Sequence, residues 1–306
     1  MKYKHLAQVT LLLKKCFKES IIFNTPVLAR LYLEKLIRQE EKRVFALSSA
    51  RMWAGIDLYT ASDLLRLLKN DIRNDVCHVI GSGWSLPSST DKISIGTDYV
   101  MGFNFAAVCS LPFDVYFIEG AHSDGDVQRE LIQEYASARI GKVFLKNLWQ
   151  GNTEPDYYRR HYLDSVSLIH DIHMPPLPFH NNDTLKRVIV LALLQKRSKY
   201  VVQFGSTIIT CIVLAAQLGF KKIVVHGLDF YGPHFFLEGN YEVPDHFLER
   251  SRKHFPRQSK QSKHLTANDV TIMLPVIAKE LEGIGILLYS GCSISPSSKY
   301  LPVYKN

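Results

Sequence analysis

The sequence predicts an α/β fold in which a mainly parallel sheet is flanked by helices. Three observations carry that prediction. From residue 76 onward, short β-type runs alternate with stretches of helical length. Glycine-bearing loops follow two of the strand runs, at Gly81-Ser82-Gly83 and at Gly227. The chain has 306 residues, 46% of them hydrophobic, which is enough to bury a real core and excludes intrinsic disorder.

Residues 1–75 read as helical. Leu28, Leu31, Leu33, Leu36 and Ile37 recur at helical spacing among Arg30, Lys35 and Arg38, and a second amphipathic stretch starts at Ser62-Asp63 and runs through Leu64–Leu68. Packing on a core accounts for these helices, and so does a basic surface that meets a membrane or partner. Strands are predicted at Val76–Ile80, Tyr99–Phe105, Val115–Glu119, Lys142–Leu145, Val166–Ile169, Lys222–His226 and Gly285–Tyr289. Helices are predicted at Asp126–Ala138, Thr184–Gln195, Thr207–Leu218 and Asn268–Glu282. In such sheets ligands sit beyond the carboxyl ends of the strands, so the loops there are where chemistry is sought.

Five scattered cysteines, with no C-x-x-C pair and an odd total, exclude a zinc ribbon and argue against a secreted disulfide scaffold. A reducing cytoplasm is expected. The apolar stretches Val188–Leu194 and Thr207–Phe220 fall short of the roughly 20 residues a membrane crossing needs. Lys14, Lys15 and Lys18 interrupt the first apolar stretch, so no signal peptide is expected. Charge is uneven: 14 basic against 8 acidic residues in 1–75, 14 against 17 in 76–245, and 9 against 4 in 246–306. Basic flanks around a slightly acidic middle point to an anionic partner, whether nucleic acid, an anionic membrane or a phosphorylated ligand.

Four short motifs carry chemistry. Gly81-Ser82-Gly83-Trp84-Ser85-Leu86 directly follows a strand, and its glycines and serine hydroxyls would let backbone and side-chain donors approach phosphate or ribose. It is not a full G-x-G-x-x-G, and a tight turn explains it equally well. Gly205-Ser206-Thr207 opens an apolar helix, where exposed N–H groups favour an anion, although plain N-capping is the simpler account. Ile223–Tyr231 reads as a buried strand running into Gly227, Asp229 and Tyr231. Asp229 there would hold either a loop or a ribose hydroxyl. His264, just before the helix from Asn268, is of the residue type poised to take a proton near neutral pH, but it is one of 12 histidines. Asp124-Gly125-Asp126 and the pair His170 and His173 are expected to hold no metal, the first as a chance pattern with a helix cap and the second for want of further ligands.

Taken in order, these pieces resemble the bacterial sialyltransferases of glycosyltransferase family 42 and related surface-polysaccharide transferases. The resemblance covers roughly residues 76–292. Its most specific part is Gly205–Tyr231, where a small-hydroxyl turn, an apolar helix, Leu218-Gly219-Phe220-Lys221 and a strand ending Gly227-Leu228-Asp229-Phe230-Tyr231 follow one another. His264 with Asn268-Asp269 is similar to the family's general-base motif, and Gly81–Leu86 resembles its opening glycine loop. The resemblance implies a Rossmann-like, variant GT-A-like domain over 76–306, with a lid at 232–263 and a helical extension at 1–75. It also implies metal-independent, inverting transfer of an acidic sugar from a CMP-linked donor, with no cofactor.

By the same resemblance His264 deprotonates the acceptor and Tyr231 hydrogen-bonds the departing phosphate. Gly81, Ser82, Gly83, Ser85, Asn104, Ser206, Thr207 and Asp229 fall at or beside donor-binding positions. Glu119 stands where the family has an asparagine. Phe235, Phe236 and Leu237 fill the stretch of a second phosphate-binding tyrosine, for which Tyr241 is the substitute. Those departures widen the donor from sialic acid to Kdo or a similar sugar. The expected setting is the inner membrane surface, with a lipid-linked glycan acceptor and no nucleic acid. The alternatives are a metal-dependent pyrophosphate-transfer or hydrolase enzyme on the same fold, and a non-catalytic nucleic-acid or membrane-binding module.

Overall fold

The computed structural model describes residues 27, 30–31, 33–39, 41–42, 58–103, 105–109, 111–119, 140–146, 166–169, 171–173, 183–195, 201–203, 206–230, 249 and 270–305. The strands are β1 (Leu58–Tyr59), β2 (Val76–Ile80), β3 (Tyr99–Phe103), β4 (Phe113–Glu119), β5 (Ile140–Lys146), β6 (Val166–Ile169), β7 (Asp171–His173), β8 (Val201–Gln203), β9 (Lys222–His226) and β10 (Leu287–Ser290). The helices are α1 (Ala61–Lys69), α2 (Asp183–Leu194), α3 (Thr207–Leu218) and α4 (Val270–Glu282). The fold is α/β. Eight strands form one sheet in the order β1-β6-β5-β4-β3-β2-β9-β10, and every pair in it is parallel. β7 and β8 make a second, two-stranded parallel sheet that the sequence pattern did not single out.

Three of the seven predicted strands are found with the predicted bounds and four with shifted ends, and local chemistry explains two of the shifts. β3 stops at Phe103 because Phe105 turns the chain into the 3-10 helix Ala106–Val108, whose Ala107 N–H is taken by the buried Tyr116 hydroxyl at 2.8 Å. β10 starts at Leu287 because Gly285 adopts φ +79 in the turn leaving α4. Residues 58–59, read as part of a helical region, pair with β6 as a strand. The N-cap of α1 is Thr60 rather than Ser62: its Oγ1 accepts from Asp63 N at 3.2 Å and donates to Asp63 Oδ2 at 2.6 Å. The predicted helix over 126–138 lies outside the described residues.

Why α3 is buried almost all round follows from where it sits. It packs on β2, β3 and β9 on one side and against α1 and α2 on the other, so ten of its twelve residues are buried. A helix that is apolar on every face needs such cover. It ends at left-handed Gly219, and the N–H of Phe220 returns to Ala215 O at 3.3 Å, dropping Phe220 into the core against Tyr99. Two residues later β9 begins. α3 therefore runs antiparallel to β9, and its N-terminus lies at the carboxyl edge of the sheet. α4 and β10 repeat the arrangement. The apolar faces of Leu33, Ile37, Leu64 and Leu68 join the same core.

The strand order reverses beside β2. The chain from β2 proceeds to β3 on one side, while β9 and β10 come back on the other. The crevice above β2 and β9 is thus the switch point, where the chain leaves two neighbouring strands for opposite halves of the sheet. Among the described residues no helix is long and apolar enough to cross a membrane.

Candidate functional site

Both loops at this crevice are glycine-bearing, and the register sets them side by side: Ile80 pairs with His226, so Gly81 and Gly227 leave the sheet at one level. Gly81 N donates to His226 O at 2.9 Å and Gly83 N to Gly227 O at 3.0 Å, continuing the ladder past the last strand residues. Gly227 turns the chain at φ +58, in the left-handed region, and a Cβ on it would meet Gly81 O at 2.7 Å. A Cβ on Gly83 would run into Gly227 O at 2.5 Å and into the Asp229 carboxylate. Side chains at these positions would force the two loops apart.

Asp229 then locks the contact. Its Oδ2 accepts from Ser85 N at 2.6 Å, and its Oδ1 accepts from Ser85 Oγ at 2.7 Å and from Ser295 Oγ at 2.9 Å. One carboxylate so clasps the loops after β2, β9 and β10. Burial pushes the Asp229 carboxyl above its ordinary value, while the bonds from Ser85 and Ser295 pull the other way. Behind it, Ser295 Oγ lies 2.9 Å from Ser297 Oγ, which lies 2.7 Å from Ser290 Oγ, and the Cys292 thiol faces Ser85 O. Of the two roles left open for Asp229, holding a loop is the one its oxygens perform. Ser85, fully buried, is its partner.

Ser82 and Gly83 are half-buried at the mouth of this clasp. Ser206 caps α3 by position, with extended backbone, and its carbonyl accepts from Thr210 N at 3.3 Å. Its hydroxyl does not cap the helix, and Thr207 is buried. Glu119 is the last residue of β4, in register with Lys146 of β5. Tyr231, His264, Asn104, Tyr241, Asp124, Asp126 and His170 lie outside the described residues. So does the stretch 232–263 apart from Glu249. Among the described residues no three His, Cys, Asp or Glu side chains cluster as metal ligands. Sequence reading missed Ser295, although a strand followed by Gly291-Cys292-Ser293-Ile294-Ser295-Pro296-Ser297 is a run of hydroxyls at a strand end.

No family model and no curated protein matches the chain. Solved structures do resemble it. The monofunctional alpha-2,3-sialyltransferase Cst-I from Campylobacter jejuni aligns over 75% of this chain and 80% of its own, at 16% identity and a TM-score of 0.44. CstII from Campylobacter jejuni, in complex with cytidine-5'-monophosphate, aligns over 76% of this chain and 85% of its own, at 15% identity and a TM-score of 0.45. The same enzyme with the substrate analogue CMP-3FNeuAc aligns over 76% and 87%, at 16% identity and a TM-score of 0.43.

Proposed function

We propose that the protein is a glycosyltransferase that transfers an acidic sugar, sialic acid, Kdo or a close relative, from a CMP-linked donor to a surface glycan. The observation that carries this reading is the clasped glycine loop at the β2/β9 switch point. There Gly81 and Gly83 spend their amides on the last residue of β9 and the loop after it, which sets Ser82 half-buried at the switch point where parallel sheets take their ligands. Ser82 and Gly83 contact the nucleotide, Asn104 and Glu119 contact the nucleotide or its sugar, and Ser206 and Thr207 bring the start of α3 to the donor's anionic groups. Asp229 and Ser85 hold the loop in shape.

In the reaction His264 accepts the acceptor hydroxyl's proton as its oxygen attacks the anomeric carbon. The bond from that carbon to the phosphate oxygen breaks on the opposite face, inverting the centre, and CMP leaves. Tyr231 donates a hydrogen bond to the departing phosphate, which supplies without a metal the stabilisation that the leaving group needs. The stretch 232–263 closes over the donor. Basic residues in 1–75 and 246–306 engage a phosphate-bearing, lipid-linked acceptor at the inner membrane surface.

The test is turnover of CMP-sugars by the purified chain with a set of acceptors and without added metal. His264→Ala should lower the rate by about 10²–10⁴. Activity within severalfold of wild type would remove His264 as the base. CMP at ~100 times its dissociation constant should stabilise the fold by about 2.7 kcal/mol. Absence of any shift, with strict magnesium dependence of some other activity, would favour pyrophosphate chemistry instead.

A further inference from the structure

Beneath the clasp runs a chain of hydrogen-bonded side chains that the transfer chemistry does not use. Asp98 Oδ2 lies 3.0 Å from His78 Nε2, and His78 Nδ1 lies 2.8 Å from His226 Nε2. His226 Nδ1 lies 2.9 Å from Ser89 Oγ, which is 3.0 Å from Leu86 O. His78 and His226 sit on adjacent strands and are 0% and 1% exposed; Ser89 is 0% exposed. Asn74 Nδ2 and Ser94 N donate to the Asp98 carboxylate at 2.7 and 2.8 Å.

The other charged and titratable groups facing the chain come from three sides. The Lys92 ammonium, bound to Gly291 O and Tyr304 O, acts on His226. The Tyr304 ring stands edge-on to His78 at 5.9 Å, and Tyr304 in turn feels Lys222, Asp75 and Tyr289. The backbone of Gly291 closes against the His226 ring.

Counting hydrogens leaves two arrangements. With both imidazoles neutral and Asp98 ionised, His78 Nε2–H donates to Asp98, His226 Nε2–H donates to His78 Nδ1, and the Ser89 hydroxyl donates to His226 Nδ1. Leu86 O then loses the hydroxyl and keeps only the Ser89 amide, at 3.1 Å. One added proton, shared between Asp98 and His78, turns the chain round. His78 Nδ1–H donates to His226 Nε2, His226 Nδ1–H donates to Ser89 Oγ, and the Ser89 hydroxyl donates to Leu86 O. All four contacts are then made together. Leu86 belongs to the site, since its own N–H holds Gly83 O at 3.1 Å.

We infer that His226 is a positioning residue for the loop 83–89: through Ser89 it sets whether Leu86 O is held by a hydroxyl, and so couples ligand binding on that loop to the uptake of one proton. The ligand half of this inference rests on the nucleotide site proposed above. Burial pushes both imidazoles below the ordinary histidine range. The His78 ring and Lys92 add to that at His226, while Asp98 offsets part of it at His78. The reversal therefore belongs to solution more acid than the ordinary histidine range, and the loop is better held there.

The experiment uses the full chain labelled with nitrogen-15, and cytidine as the probe because it carries no phosphate to titrate. As pH falls from about 7.5 through the ordinary histidine range to about 5, His226 Nε2 should lose its proton as Nδ1 gains one, with the Leu86 and Ser89 amides shifting at the same midpoint, below the ordinary histidine value. Cytidine should bind about three- to tenfold tighter at the acid end, the worth of one hydroxyl hydrogen bond. Ser89→Ala keeps both histidines, and His226→Gln keeps a hydrogen-bonding amide that cannot relay a proton. Each should bind cytidine equally at both pH values. The inference is overturned if His226 Nε2 stays protonated throughout, or if Ser89→Ala shows the wild-type pH dependence. If cytidine binds at neither pH, the nucleotide reading fails, and the ring nitrogens and loop amides alone decide the role of His226.

Discussion

β2 divides the sheet into two halves that are built differently. On the β3, β4 and β5 side, aromatic packing does the holding: Phe117 stacks on Phe144, Phe113 meets Tyr116 edge-on, and Tyr99 lies on Phe220. On the β9 and β10 side, directional bonds do it, through the Asp229 clasp, the paired histidines and Lys92. Apolar packing is tolerant of shape and carries no information about a ligand. A carboxylate shared by three loops fixes their spacing to within a hydrogen bond. The difference teaches which half defines the fold and which half defines the site.

The comparison breaks most readily at its apolar half. Phe117→Ala should cost about 3–5 kcal/mol in denaturant unfolding, yet leave the CMP affinity of the folded fraction unchanged; a weakened affinity would mean the halves are not separable. Asp229→Asn should cost less, about 1.5–3 kcal/mol, because an amide presents a donor where Ser85 or Ser295 also donates. It should weaken CMP binding clearly, measured by calorimetry.

A smaller effect has the opposite sign. The Tyr99 hydroxyl is buried and finds no partner among the described residues, and burial holds its phenol far above the ordinary value. Tyr99→Phe should therefore raise stability by about 1 kcal/mol without touching the site.

Acid separates the halves again. His78 and His226 have folded pKa values below their unfolded value of 6.5, so the unfolded chain binds more protons than the folded one. Their contribution is complete above that value and is lost as pH falls through and below it. Asp98, held below its ordinary carboxylate range by Ser94, Asn74 and His78 against the opposing effect of burial, loses its contribution further into acid. Asp229, raised, works the other way. Unfolding followed against pH should show stability falling from about pH 6.5 downward in wild type, with a shallower fall in His226→Gln. Phe117→Ala should keep the wild-type slope.

What was legible in the sequence follows the same division. The apolar runs of β2, β4 and β9, and the all-round apolar helix α3, announce themselves because burial on both faces needs continuous hydrophobic sequence. The parallel pairings do not, since each partner arrives through a crossover and nothing local records it. Hence β1, two residues long, was read as helix. The glycines at 81, 83 and 227 were visible as glycines. That they face one another across 144 residues of sequence separation, with Ser85 and Asp229 as the fastening, was not. His226 was visible inside an apolar strand, but its meaning depends on His78, 148 residues away.

The stretch that returns over β10 has a consequence for synthesis. Ser290 pairs with Val303, Lys92 is fastened to Tyr304 at a separation of 212 residues, and Ser295 completes the bonds on Asp229. While the chain emerges from the ribosome, every strand up to β9 can be in place with Asp229 bonded to Ser85 but not yet to Ser295. The clasp is complete only when residues 291–304 arrive. A nascent chain halted before Gly291 would have its strands but lack the third loop of the clasp.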